Sequence, residues 1–336
     1  MTQKLYSTPI DACTAAGVEY PSRGLLPGPW NVSKAFDGKR WKQGAGRVRM
    51  FSDGTGGVVW NWITGEAVFW FDDAGKKLTK AERNSLMKRA AMERRKWDEE
   101  QARRWAQVAA FASQLLQQAA PVIEHPYLNR KHVKAVSGLF VMDTVDIQRE
   151  FERFYQETPR RLMDCKTHQP MTGSVLMVPL YRSVHATVPS SIECISENGG
   201  KYALPEAQAK GAFWLPESVR LSTQPIGRIG IAEGIATALS ISQVIGFPCV
   251  AARYCGNLSA VAQTLRNYFP SAQIEICGDR GNGEEDARRA AEAAGGKLRI
   301  PSFNAGLIQK FKAITGGNQP TDWNDFFIAT EDLCPT

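Results

Sequence analysis

The chain of 336 residues is poor in the residues that build metal cages, disulfide frameworks and membrane spans. Its histidines number four, and its seven cysteines, at positions 13, 165, 194, 249, 255, 277 and 334, never form a CxxC pair. That speaks against a zinc ribbon or a disulfide scaffold, and cysteines inside apolar runs read as small core residues. No apolar run approaches the roughly 18 residues that cross a bilayer, and the start, MTQKLYSTPIDACTAAG, lacks a cationic lead into an apolar stretch. We therefore expect a cytoplasmic protein with no membrane partner. No GxxxxGK[ST] segment occurs, so no phosphate loop of a helicase motor is expected in this chain. GDRGNG falls short of a full GxGxxG and follows a third strand, which disfavours dinucleotide binding.

Charge and patterning are more informative. Lys and Arg total 41 against 34 Asp and Glu, a formal charge of +7. That balance fits a polyanion partner without requiring one. The length allows two or three compact domains. Residues 227–294 alternate short buried-strand patterns with helical spacing: strand to 232, helix 235–245, strand 247–252, helix 258–268, strand 274–277, helix 287–294. Such a series makes a parallel sheet, in which side chains at the strand carboxyl ends share one crevice. Glu233 and Asp279 stand at two of those ends and should meet. Converging carboxylates without His or Cys are hard oxygen ligands suited to Mg²⁺ or Mn²⁺. Either acid could also be an ordinary helix cap or loop residue.

Before that stretch the chain reads in three parts. Residues 1–73 suggest a β-rich Trp/Gly module without zinc ligands, with hairpin strands at 47–51, 57–62 and 67–71 turning at Asp53-Gly54 and Thr64-Gly65. Its tryptophans interleave with Lys39, Arg40, Lys42, Arg47 and Arg49. They read either as the core of a small sheet or as platforms for single-stranded bases, with the cations on phosphates. Residues 74–119 suggest a basic helical linker with a broken apolar stripe through Met87, Ala91, Trp97, Trp105, Val108 and Phe111. Residues 120–224 suggest a small α/β subdomain, with strands in SVLMVPLYRS and SSIECIS. His125 there is expected to pack or hydrogen-bond rather than to ligate, because no second His or Cys stands at ligand spacing.

The segment IAEGIATALS resembles the glutamate motif of the TOPRIM fold, VAARYCGNLSAVAQTLR its second segment in primases, and ICGDRGNGEEDARRAAEAAG the aspartate motif with its Ala-rich helix. Upstream, HPYL at 125–128, Val178-Pro179, Lys201-Tyr202, Pro205 and Lys210-Gly211 resemble the primase core that precedes TOPRIM in plasmid and phage enzymes. The resemblance implies an α/β TOPRIM domain over 225–336 and a primase core over 120–224. It implies a DNA primase that makes RNA primers on single-stranded DNA from NTPs, with Mg²⁺ or Mn²⁺, for a plasmid, phage or integrated element, beside a replicative or element-encoded helicase. Glu233 and Asp279 would serve catalysis and the metal, and Lys201 and Lys210 would hold phosphates. The family usually has Asp-x-Asp, whereas Gly281 stands at the second place here. Asn282, Glu284 or Asp286 would supply the missing oxygen, or Asp322 and Asp325 of TDWNDFF, although Asp322 equally suits a helix N-cap. Two alternatives stay open: a catalytically weakened TOPRIM accessory that binds single-stranded DNA, and a TOPRIM nuclease.

Overall fold

The computed structural model describes residues 6–38, 40–72, 79–156, 159–165, 167–222, 224–281 and 283–332. The chain divides into two compact units, 1–102 and 103–336.

In the first unit, α1 (Pro9–Ala16) starts where Thr8 accepts the Asp11 N–H at 3.1 Å and ends at Gly17, whose φ of 63° suits glycine. An antiparallel meander follows in the order β1 (Trp30–Phe36), β2 (Trp41–Met50), β3 (Gly56–Asn61), β4 (Glu66–Phe71). The expected hairpins lie inside β2 to β4. The sequence reading passed over α1 and β1, which lack strong periodicity. Every residue of β3 is buried. Val59, Val68 and Trp70 pack with Ala12, Cys13 and Ala16 of α1. The Trp70 indole crosses Gly57, where a Cβ would meet a ring carbon at 2.1 Å, so the side-chain-free position is what admits the ring. Trp97 of α2 (Lys80–Gln118) packs on Trp30 and Trp60 with centroids 5.0 and 4.7 Å apart.

The tryptophans thus divide. Trp60 and Trp70 are core, whereas Trp41 and Trp62 remain 52% and 37% exposed. The helix α2 is not the wholly solvated linker that its charge suggests, because Ala90, Trp97, Val108, Phe111 and Leu115 are buried. Ala91, expected on the buried stripe, is exposed instead.

The second unit holds two sheets. The first is antiparallel, ordered β5 (Ala120–Pro121), β6 (Phe140–Asp143), β7 (Ser174–Leu180), β8 (Ser191–Ser196), β9 (Lys201–Ala203), with α3 (Pro126–Arg130) after β5 and α4 (Thr144–Phe154) after β6. Ile147 and Phe151 of α4 pack with Val108, Phe111 and Leu115 of α2 against Val175 and Met177. After α5 (Glu217–Arg220) comes the series β10 (Arg228–Ala232), α6 (Ile235–Ile245), β11 (Cys249–Ala251), α7 (Leu258–Tyr268), β12 (Gln273–Cys277), α8 (Glu284–Ala294), β13 (Lys297–Arg299), α9 (Ala305–Thr315), α10 (Trp323–Ala329). The strands form a parallel sheet ordered β11-β10-β12-β13. It is buried on both faces, which accounts for its near-continuous apolar runs. Leu176 and Val178 of β7 share one core with Ala236 and Leu239 of α6, so the antiparallel and parallel sheets are joined through packed side chains.

Candidate active site

Adjacent parallel strands end together. Ala232 of β10 is opposite Cys277 of β12 and Ala251 of β11, so the residues just beyond all three leave the sheet at the same edge. Glu233 stands immediately after β10 and Asp279 two residues after β12. Glu233 accepts the Cys255 N–H, and a Cβ on Gly283 would lie 3.0 Å from its Oε2. The glutamate motif therefore touches both the turn after β11 and the loop that carries Asp279. Arg280 N–H donates to Thr321 O at 2.8 Å, which draws the segment before α10 onto the same loop.

The electrostatics of the crevice follow from that convergence. Burial, then Asp322, Glu233 and Asp325, push the Asp279 carboxyl up to about 8. Burial also raises Glu233, with Asp286 and Asp322 adding to it while the Cys255 N–H and Lys201 pull it back. Asp322 is raised by burial as well, against the pull of Lys131. Two ammonium groups oppose these acids. Burial lowers Lys201, but Glu193, Tyr127 and Glu233 outweigh it and leave it above its ordinary value. Burial likewise opposes Lys131, which Asp322 and Asp325 hold above its ordinary value. Lys201 Nζ lies 3.6 Å from where a Cβ on Gly234 would stand, so this lysine of β9 reaches the glutamate turn.

The oxygens differ in what they already bind. Asp279 Oδ1 is buried and has no hydrogen-bond partner among the described residues. A buried, unsatisfied carboxylate oxygen is costly unless a cation or a proton meets it. Asp322 caps α10 by accepting the Asp325 N–H at 2.9 Å, and Asp325 closes the capping box. Asp325 Oδ2 takes the Thr321 N–H at 2.9 Å, and its Oδ1 lies 3.4 Å from Lys131 Nζ. Asp286 pairs with Arg289 at 2.5 Å and also hydrogen-bonds the Cys255 thiol. Glu284 Oε1 takes the Gly281 N–H at 2.7 Å. Gly281 itself has φ of 89°, a conformation that strains any residue with a side chain. An aspartate is therefore disfavoured at the place where Asp-x-Asp would put one. Asn282 lies outside the described residues.

Divalent cations of the Mg²⁺ type are commonly held by one or two carboxylates, with water or phosphate oxygens completing the shell. Asp279 and Glu233 fit that role. Among the described residues no three His, Cys, Asp or Glu side chains form a ready ligand group.

The remaining expected residues are placed as follows. Lys210 is exposed, and its carbonyl accepts Arg182 Nε at 3.2 Å. Gly211 N–H donates to Asn257 Oδ1 at 2.7 Å, and the buried Asn257 amide also donates to Ala212 O and Ala252 O, tying this loop to the turn after β11. In the first unit Lys42 pairs with Asp37 at 3.1 Å. Arg47 Nη1 donates to Gly44 O and Gly46 O at 2.6 and 2.9 Å. Arg49 lies 5.8 Å over the Trp30 ring, and Arg40 is exposed. Lys39 lies outside the described residues. His125 caps α3 by accepting the Tyr127 N–H on Nδ1, with Nε2 3.3 Å from Ser174 O, and burial lowers its pKa.

Sequence reading missed Lys131, Glu193, Arg253 and Asn324. Glu193 left a trace as the one charge inside SSIECIS; the other three gave no periodic signal. Asn324 is fully buried and donates to Lys131 O at 2.6 Å and Ser240 Oγ at 2.8 Å, which locks α10 against α6 and the loop after α3.

Residues 228–331 match the Toprim domain family. Two curated proteins of Escherichia coli, each named DNA primase TraC, are similar: one is 34% identical over 123 residues, covering 34% of this chain and 8% of its own length. The other is 27% identical over 262 residues, covering 74% of this chain and 22% of its own length. The chain thus spans less than a quarter of the curated relatives it matches. Among solved structures, the DnaG primase catalytic domain bound to ssDNA aligns at 14% identity and a TM-score of 0.40, over 70% of this chain and 84% of that one. The primase fragment of the bacteriophage T7 primase-helicase protein aligns at 12% identity and a TM-score of 0.35, over 78% and 86%. Scores that low do not bear on function. The stretch 228–331, which holds the parallel sheet, thus matches the Toprim domain, and the chain is similar in sequence to the proteins named DNA primase TraC.

Proposed function

We propose that the chain is a DNA primase that joins ribonucleotides on a single-stranded DNA template. Asp279 carries this reading: its buried Oδ1 has no partner among the described residues, and its carboxyl is pushed up to about 8 in a crevice lined by Glu233 and Asp322. Asp279 and Glu233 would hold Mg²⁺ or Mn²⁺. When bound, such an ion lowers the pKa of a primer 3′-hydroxyl and neutralises the triphosphate and the departing pyrophosphate. The residues' own part is positioning. Lys201 faces the acids and would hold phosphate, and Lys210 would do so from the neighbouring loop. Lys131 keeps Asp322 and Asp325 from repelling one another. No covalent side-chain intermediate is needed. The cations of the first unit would contact template phosphates without sequence preference. The same reading includes a cytoplasmic setting, a helicase partner, and the replication or transfer of a plasmid, phage or integrated element.

Gly281 favours a second reading, a Toprim accessory that binds single-stranded DNA with weakened chemistry, because the turn at that position removes one expected acid. Incubation of the chain with single-stranded circular DNA, labelled NTPs and Mg²⁺ or Mn²⁺ separates the two. Short ribo-oligomers that vanish in Glu233→Gln and Asp279→Asn support the primase. A DNA mobility shift without synthesis supports the accessory, and degraded DNA overturns both in favour of a nuclease.

A further inference from the structure

A carboxylate deep in an apolar strand calls for an explanation. Glu193 of β8 is 4% exposed, and its neighbours Ile192, Cys194 and Ile195 are core residues. Two cations meet it, one from each sheet of the second unit. Lys201 Nζ lies 4.0 Å from its Oε2, and Arg253 Nε lies 3.3 Å from its Oε1. Both contacts are longer than the 2.7–2.9 Å typical of a charge-assisted hydrogen bond. Arg253 Nε has no hydrogen-bond partner among the described residues. Both cationic side chains also keep access to solvent, at 33% for Lys201 and 23% for Arg253. An ion pair built only to neutralise Glu193 would close up; this one is loose, and both cationic side chains stay partly open to solvent.

The backbone adds a second, independent sign. Arg253 lies two residues beyond β11, at the same edge of the sheet as Glu233 and Asp279, and has φ of 77°. Non-glycine residues in that region are held there by their surroundings, and such strain concentrates at ligand sites. The next residues continue the site: Cys255 N–H binds Glu233, and the guanidinium lies 5.3 Å over the ring of Tyr254.

We propose that Arg253 and Lys201 form a two-cation clamp for the polyphosphate of a nucleotide, held at fixed spacing by the buried carboxylate of Glu193. This rests on the reading of the crevice as a nucleotide site. Glu193 gives each cation one direction of attachment, and an incoming polyphosphate takes the remaining donors; guanidinium suits that role because its planar fork pairs with two phosphate oxygens at once. Arg253 is then a binding residue, and Glu193 a positioning residue that also competes with the ligand for both cations.

The test is calorimetric titration of the full chain with tripolyphosphate and with ATP in the absence of divalent metal, together with thermal melting. Arg253→Met should weaken tripolyphosphate binding by about tenfold or more, as expected for a charged hydrogen-bonding partner. Glu193→Gln should tighten it. The double variant Glu193→Gln/Arg253→Met removes one acid and one cation together, and Lys201 keeps Glu233 as an opposing charge, so it should melt near the parent while binding more weakly than the parent. A folded double variant that binds tripolyphosphate as well as the parent overturns the clamp, as does weaker binding in a folded Glu193→Gln. Ribo-oligomer synthesis with an unchanged KM for ATP in Arg253→Met removes the clamp and keeps the primase. Binding that depends on Arg253 in a chain that makes no oligomers keeps the clamp and removes the primase.

Discussion

Two regions of the molecule are rich in charge, and they use it in opposite ways. In the first unit, two of the cations that sequence singles out are tied down, Lys42 to Asp37 and Arg47 to the carbonyls of Gly44 and Gly46, while Arg49 lies over the Trp30 ring with its buried Nε unpartnered among the described residues. In the crevice of the second unit, Asp279 Oδ1 is buried without a partner among the described residues, and most of the charges around it are further carboxylates. A count of charges cannot tell these apart. Satisfaction of each polar atom can, because a paired cation has little left to offer a ligand and an unpaired buried carboxylate is stable only if something else meets it. The same distinction runs along one strand. Glu275 of β12 is 2% exposed, yet Arg228 at 3.0 Å and Arg299 at 3.4 Å hold it below the usual carboxylate range despite burial. Asp279, four residues on, is pushed the other way. The first is architecture, and the second is the residue on which the proposed site rests.

The largest expected effect separates them by activity. Asp279→Asn and Glu233→Gln should each lower primer synthesis by about a thousandfold, the scale of losing a principal electrostatic contact to the transition state. Glu275→Gln should reduce it only as far as it reduces folding. Equal losses in all three would erase the distinction.

Next comes stability against pH. Asp279 holds its proton up to about pH 8 in the folded chain and up to about 4 when unfolded, so the folded state binds the extra proton between those limits. Metal-free protein should therefore lose stability as pH rises from about 4 to 8, by up to about 1.4 kcal/mol per unit. Asp279→Asn should flatten that slope in thermal melts and raise the melting temperature at pH 8. Mg²⁺ should stabilise the parent at pH 8 and not this variant. A variant that melts lower than its parent at pH 8 would mean that the carboxylate is not strained.

Asp325 offers a smaller test. Its oxygens are taken by the capping box and Lys131, so Asp325→Ala should cost about 1–3 kcal/mol of stability. In a folded Asp325→Asn, the stabilisation by Mg²⁺ should persist. Loss of that stabilisation would return Asp325 to the ligand set.

The smallest effect is expected in the first unit. Lys42→Ala should change affinity for single-stranded DNA by less than about threefold, because exposed ion pairs are worth only about 0–1 kcal/mol and this lysine already has one. A large, salt-dependent loss would show that the pair with Asp37 opens to receive phosphate.

Much of the second unit was legible before any coordinates. Helices 235–245 and 258–268 carry the bounds read from spacing, because each has a dense apolar face and a clear end: Gly246 closes the first in a left-handed cap. The hairpins of β2 to β4 were legible through their turns. By contrast α1 is eight residues long and β1 is irregular, with a register shift between Ser33 and Ala35, so neither leaves a firm period. At the site, the two acids were legible because strand ends are predictable and carboxylates there are few. Lys131, Arg253 and Asn324 were not, since each acts on a residue far away in sequence: Lys131 meets Asp325, Arg253 meets Glu193, and Asn324 meets Ser240.

Sequence alone determined the alternation of strands and helices that makes a parallel sheet and the presence of acids at the strands' carboxyl ends, because periodicity and turn chemistry are local. Which acids keep an oxygen to spare, and which cations face them, was decided only when β8, β9 and the loop after α3 packed against that edge. Burial and distance set those values, and neither exists until the sheets meet.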